Sequence, residues 1–369
     1  MVPVAWRMIS KEKVRFLITV SGVGCAVMLM LFLVGVYEGV KRDSTSYVVT
    51  TPADIWICQK NSTNLLRSSS FLFSSIEDEI KKVKGVSQVA GLLRFIATAR
   101  INSQSVTLFI FGFDPKSGLG APLTLIRGRS IIHSKEIIID KTFAAKHKLA
   151  LGDRLPIQGY DFRVVGISRG TNAFVTQFAF TTLEDAQLLI GLPGIISFFL
   201  IRTEASADKT LIIDSLKKQF PSLAVFDKQE FVRNNLEEME TGVLPVLWAI
   251  AFFGALVSTV IITLMVYGAI LERREDYALL KAIGAGQTFL VSLVLKQSLW
   301  GALAGFVFGL LLHAVSTPLL IAWVPEISSF LTFKAVGFIF AASLVIGVLG
   351  SWLPLYKLSH IYPAEVFRA

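Results

Sequence analysis

Charge is scarce in this sequence and unevenly placed. Asp, Glu, Lys and Arg make up 17% of the 369 residues against 53% hydrophobic, and the mean hydropathy is +0.62. A soluble globular domain carries more charge and fewer apolar residues. Four runs hold no charged residue at all: 16–37, 241–271, 297–325 and 335–356. Each exceeds the roughly 20 residues that a helix needs to cross about 30 Å of hydrocarbon. A helix is also the form that satisfies every backbone polar group there, and no run alternates like a barrel strand. Ion-coupled transport usually relies on intramembrane carboxylates or charge pairs, which these runs lack. His313 is the one imidazole at depth, and with Ser316 and Thr317 nearby it reads as an interhelical hydrogen-bonding residue.

Other absences narrow the function further. The two cysteines, Cys25 inside the first apolar run and Cys58 beyond it, offer no disulfide framework. The four histidines form no HExxH spacing, so no metal-ligand set and no catalytic constellation emerges. Asp140, Asp153 and Asp161 fall where turns and strand ends are expected. There is no G-x-x-x-x-G-K-[ST], so the chain cannot cradle ATP phosphates in a P-loop, and no cofactor is expected on it. The net charge of +9 requires no nucleic acid. Residues 38–242 hold 25 basic and 21 acidic residues, leaving +5 for the remainder, which suits anchoring against anionic membrane lipid.

The chain is therefore expected to be an α-helical membrane protein with four transmembrane helices and a mixed α/β extracytoplasmic domain between helices 1 and 2. The expected order is an amphipathic cytoplasmic helix over 1–15, spans at 16–37, 243–271, 297–325 and 335–356, and a tail over 357–369. The domain occupies 38–242 and a cytoplasmic segment 272–296. Lysine and arginine in the short loops orient it: four basic residues precede the first span, four lie in 272–296 and two in the tail. Both termini are expected in the cytoplasm. Helical spacing after the first span and again over 229–243 predicts a two-helix stalk. Strands are predicted over 53–60, 136–140, 154–158 and 162–168, with a hairpin around residues 102–104. Helices are predicted over 75–85, capped by serine and stopped at Gly85, and over 141–149, where Gly152 suits a left-handed ending.

Gly301, Gly305 and Gly309 repeat at four-residue spacing and allow close helix approach, either within the chain or between two copies. Pro318 and Pro325 are positioned to kink or end that helix. The stretch LERREDYALLKAIGAGQTF (271–289) puts Tyr277, Leu279, Leu280 and Ile283 among Glu272, Arg273, Arg274, Glu275, Asp276 and Lys281. A solvated loop has no need of those apolar residues together. A short helix stopped by Gly284 would present them as a knob for a groove on a cytoplasmic partner, with the arginines steering it.

Here the chain resembles the FtsX/MacB-type ABC transporter permeases. ERREDYALLKAIGA is similar to their cytoplasmic signature, and EIIIDKTFAAKHKLALGDRLPIQGYDFRVVGI to the core of their extracytoplasmic domain. VAWRMISKEKVRFLITVSGVG resembles their first span, and the ending PAEVFRA their terminal motif, with Phe367 where leucine is usual. AWRMISKEKVRFL and ADIWICQ also resemble the DevC-like permeases. Unlike the macrolide exporter of the family, this protein is expected to carry no fused nucleotide-binding domain. The resemblance implies two permease copies working with two ATPase subunits, which bind the ATP and Mg. It also implies mechanotransmission to the outer domain rather than an aqueous channel. It assigns Arg273, Arg274, Glu275, Tyr277, Leu279, Leu280 and Lys281 to the ATPase contact, with Pro363, Glu365 and Arg368 as a second contact. A periplasmic adaptor and an outer-membrane channel are possible further partners in an inner-membrane export machine. The cargo would be apolar or amphipathic: a lipid, glycolipid, lipoprotein, haem or drug. The alternative is an FtsX-like regulator that switches an outer protein partner and moves nothing.

Overall fold

The computed structural model describes residues 13–101, 104–173, 176–242, 244–272 and 274–359. They divide into two compact units. One comprises the chain up to Glu38 with Leu244–Trp323 and the residues from Ser329 onward; the other comprises Gly39–Val243 and Val324–Ser328.

The first unit is a bundle of four helices long and apolar enough to cross a membrane. They are α1 (Lys13–Thr50, whose part up to Glu38 lies here), α7 (Leu244–Glu272), α9 (Gln287–Trp323) and α10 (Phe333–Ser359). Small residues let them approach closely. A methyl on Gly22 would lie 3.0 Å from Ile261, one on Gly347 3.0 Å from Ala302, and one on Gly350 2.7 Å from Ile262. Some buried hydroxyls are satisfied inside their own helices: Ser298 donates to the Val294 carbonyl (3.1 Å) and Ser351 to that of Gly347 (2.7 Å). His313 is buried and meets Thr317 one turn along the same helix, with Nδ1 to Oγ1 at 3.1 Å. That corrects the interhelical role expected of it: Thr317 is the nearer partner in sequence and costs no second helix. Pro318 is accommodated inside α9, which ends two residues before Pro325.

The second unit is built on an eleven-stranded mixed sheet. Its strands are β1 (Ile55–Gln59), β3 (Val86–Ile101), β4 (Gln104–Phe113), β5 (Leu125–Gly128), β6 (Glu136–Asp140), β7 (Arg154–Ile157), β8 (Tyr160–Ser168), β9 (Asn172–Ala173), β10 (Thr176–Thr182), β12 (Phe198–Thr203) and β13 (Leu223–Asp227). A separate ribbon pairs β2 (Leu72–Phe73) with β11 (Ile195–Ile196). The main order is β13-β1-β12-β3-β4-β10-β6-β8-β5, and within it the β10–β4 and β6–β8 pairs are parallel. The period of two sorts β4 between two cores: Phe109, Phe111 and Phe113 on one face, Leu108 and Ile110 on the other.

The first of these cores takes in both helices that flank the unit in the chain. Tyr47, near the end of α1, packs at a tilt against Phe111 with 5.0 Å between centroids and donates its hydroxyl to the Gly120 carbonyl at 2.6 Å. Phe231, in α6 (Lys228–Gly242), stacks on Trp56 at 4.8 Å. Asn235 accepts from the Leu65 amide at 2.8 Å, and Lys41 pairs with Glu240 at 3.6 Å. Shorter helices close the outer face: α2 (Glu77–Lys81), α3 (Lys141–His147), α4 (Leu183–Ile190) and α5 (Lys209–Gln219).

Two local expectations need correction. The helix expected over 75–85 is a 3₁₀ turn, Ser74–Ile76, followed by α2, and no serine caps either. The chain leaves it early because β3 begins at Val86, immediately after the left-handed Gly85 (φ 90°). Helix α3 ends on left-handed Lys148 (φ 53°) rather than on Gly152, which sits four residues on in the turn before β7. The Asp140 carboxylate caps α3 through the Thr142 amide (2.8 Å) and also takes the Thr171 hydroxyl (2.9 Å).

Candidate functional site

The apolar residues of the 271–289 stretch do not act alike. Helix α8 (Arg274–Ala282) follows α7 and precedes α9. Its end carries both bonds of a Schellman motif: the Gly284 amide reaches the Lys281 carbonyl (3.1 Å), and the Ala285 amide the Leu280 carbonyl (2.9 Å). Gly284 takes the φ of 95° that this ending demands. Leu280 and Ala285 pack against the buried cluster of Val266, Ile270, Leu290 and Val294, and Tyr277 is inside that cluster at 1% exposure. Tyr277 and Leu280, three apart, are therefore the face that fixes α8 to the bundle. Leu279 and Ile283, four apart on the other face, are 53% and 74% exposed. Lys281 is half-buried; Arg274 and Glu275 lie in the first turn of α8. Arg273, Pro363, Glu365 and Arg368 lie outside the described residues, as does nearly all of the helix expected over 1–15.

The glycine repeat lies on the α1 side of α9. A methyl on Gly305 would come within 2.5 Å of Val23, and one on Gly309 within 2.7 Å of the Gly24 carbonyl oxygen and 2.8 Å of Val27. At Gly301 the nearest atom is the Thr19 methyl at 3.6 Å, an ordinary contact. Of the two uses open to this stripe, the structure employs it within one chain.

At the opposite end of the same bundle is an apolar groove of about 390 Å³. Leu33 and Val34 from α1, Leu247 and Ala251 from α7, and Phe338 from α10 form its floor. Tyr37, Glu38, Trp248, Thr332 and Lys334 bring polar side chains to its lining. Sequence reasoning passed over Trp248 and Lys334; the available signal was an aromatic and a lone lysine at the ends of two apolar runs, the usual place for interfacial anchors.

A third feature lies in the α/β unit. The segment Val324–Ser328, which joins α9 to α10 in the chain, clusters with this unit. Glu326 is nearly buried and pairs with Lys146 of α3. Burial alone would raise the Glu326 carboxyl; the Lys146 ammonium and backbone hydrogen bonding hold it below the usual value. The same burial, with Lys146 beside it, pushes His147 down. The Ser328 carbonyl meets Gly39 so closely that a methyl there would lie 2.1 Å away. Glu326, the one carboxylate between Lys296 and Lys334, was the sequence signal for this contact.

Comparison with known proteins accounts for both units. Residues 16–219 match the MacB-like periplasmic core domain, and residues 248–363 match the FtsX-like permease C-terminal domain. Among curated relatives, the uncharacterized ABC transporter permease Rv2563 of Mycobacterium tuberculosis is 25% identical over 98% of both chains. The putative hemin transport system permease protein HrtB of Staphylococcus haemolyticus is 22% identical over 98% of this chain and 97% of its own. Among solved structures, the periplasmic region of MacB from Actinobacillus actinomycetemcomitans aligns with a TM-score of 0.40 at 13% identity, covering 48% of this chain and 89% of that one. The extracellular domain of the transporter YknZ from Gram-positive bacteria aligns at 0.38 and 16% identity, over 47% and 100%. With over half of its length in the one domain and most of the remainder in the other, the chain belongs to the MacB/FtsX-type ABC transporter permeases.

Proposed function

We propose that this permease takes up force from a separate ATPase subunit through α8 and transmits it along α1 and the α6–α7 pair to the α/β domain. The observation that carries this reading is the split of α8 into a buried and an exposed face. Tyr277 and the Schellman ending fix the helix to the bundle, so a push on Leu279 and Ile283 moves the bundle rather than bending a loop. ATP and Mg reside on the ATPase, and two copies of each subunit make the working unit, as the family implies. Since Gly305 and Gly309 are taken up by close packing within the chain, pairing of the two permeases falls to another surface. The placement is an inner, cytoplasmic membrane, with both termini and α8 in the cytoplasm and the α/β domain outside.

The cargo is apolar or amphipathic. The groove between α1, α7 and α10 supports this class, since its floor suits a hydrocarbon moiety and its polar rim a head group. The relative named for hemin transport keeps haem within the class. A periplasmic adaptor and an outer-membrane channel would complete an export route where a second membrane exists.

The test uses Ile283→Asp. Replacing an exposed apolar contact with a carboxylate that a partner groove must desolvate costs about 2–3 kcal/mol or more, roughly a hundredfold in affinity. The chain should insert and melt normally yet fail to co-purify with its ATPase. Undiminished complex formation would end the proposal. Leu280→Asp is the poorer probe: Leu280 packs on the bundle, so its loss would also unseat α8.

A further inference from the structure

An open polar cavity of about 550 Å³ lies where β6, β7 and β8 meet. Its lining includes Lys135, Arg154, Arg163 and Asp161. Antiparallel pairing sets Arg154 directly opposite Arg163, and the neighbouring register pair, Leu155 and Phe162, is buried. Alternation therefore sends both guanidinium groups to the same open side. Like charges directly opposite on paired strands are destabilising. Nothing close by relieves them: among the described residues neither arginine nor Lys135 forms an ion pair. Glu136, which also lines the cavity, is already committed. It takes both Arg129 nitrogens and the amides of Ile132 (2.9 Å) and His133 (3.1 Å). That leaves Asp161 against three cations. Lys135 sits in a left-handed conformation (φ 60°), and its backbone N–H donates to the Asp185 carboxylate at 2.7 Å, which fixes where its side chain departs.

We propose that this cavity is an oxyanion site, in which Arg154 and Arg163 together grip one phosphate-type group and Lys135 adds a third cation. Each guanidinium fork can pair bidentately with phosphate oxygens, and a phosphate has more oxygens to offer two forks than a single carboxylate has. The group is borne either by a free anion or by a phosphorylated head group.

The full chain in non-ionic detergent is titrated with inorganic phosphate and with glycerol phosphate, at constant ionic strength set by sodium chloride, while thermal unfolding is followed. A saturable rise in Tm is expected. Arg154→Gln/Arg163→Gln should weaken binding at least tenfold, with an unliganded Tm no lower than wild type because the opposed charges are gone. Asp161→Asn should bind about two- to fivefold more tightly, the range of an exposed charge pair. Tighter binding of glycerol phosphate would assign the site to a head group, and equal or weaker binding to the free anion; both uphold it. An unsaturable shift, or one unchanged in the double arginine variant or in Asp161→Asn, overturns it.

Discussion

The glycine stripe allows a test in which three chemically identical substitutions have different outcomes. Gly301→Ala, Gly305→Ala and Gly309→Ala each add one methyl to α9. Each gains up to about 1 kcal/mol of helix propensity. At Gly301 the new methyl meets Thr19 at 3.6 Å, so the gain is kept and the variant should be more stable by about 0.5–1 kcal/mol. At Gly305 the contact would be 2.5 Å to a Val23 methyl, which can shift only with its neighbours. At Gly309 it would be 2.7 Å to a backbone oxygen, which cannot rotate away. Restoring an ordinary separation there moves α1 and α9 apart by roughly 1 Å and costs about 1–3 kcal/mol of overpacking. The expected order is Gly301→Ala above wild type, then Gly305→Ala, then Gly309→Ala, with about 1–3 kcal/mol between the extremes. Unfolding in mixed micelles with increasing SDS gives the order, and cross-linking gives the oligomeric state. Equal stability for all three, with loss of dimer in Gly309→Ala, would refute the intrachain packing and return the stripe to an interface between copies.

Two further outcomes concern the α/β domain. The Arg129 guanidinium holds the Glu136 carboxyl at about 2, below its ordinary value of 4.5, so the pair stabilises the fold above that ordinary value and the benefit is lost as pH falls from about 5 through 2. Arg129→Gln should flatten this acid limb of the Tm–pH curve; an unchanged limb would exclude the pair as its source. Lys146→Ala leaves Glu326 nearly buried without its cation and should cost about 1–3 kcal/mol, more than Glu326→Gln, which removes the charge itself. Hydrogen exchange of 324–328 would report both; the reverse order would sink the argument.

Much of the architecture was legible because lipid and sheet impose simple periods. The uncharged runs gave the four long helices. The Gly-rich turns around 152 and 159 bracketed β7, which runs over Arg154–Ile157 against the expected 154–158. The long strand β3 was read only at its end, as one arm of the hairpin around 102–104. Its first half is buried on both faces over Val89–Leu93, so the alternation that marks a half-buried strand is missing there. The parallel β4–β10 and β6–β8 pairs were not legible at all, because strand order across long separations leaves no local pattern. In α8 the sequence showed four apolar residues together but not their division between two faces. With Tyr277, Leu279, Leu280 and Ile283 all apolar, only the neighbouring helices decide which pair turns inward. The glycine stripe was ambiguous for the same reason: spacing shows that something comes close, and only α1 shows what.

Helix α1 is unbroken from Lys13 to Thr50 and contains no proline. At 1.5 Å per residue its 38 residues form a rod of about 57 Å, nearly twice the thickness of the hydrocarbon layer. A stiff rod of that length is a lever. Tilting it by about 5° about one tip carries the other tip through roughly 5 Å, close to one helical pitch. Angstrom-scale strokes at one extremity thus need only a few degrees of rocking, and no residue along the shaft has to change conformation.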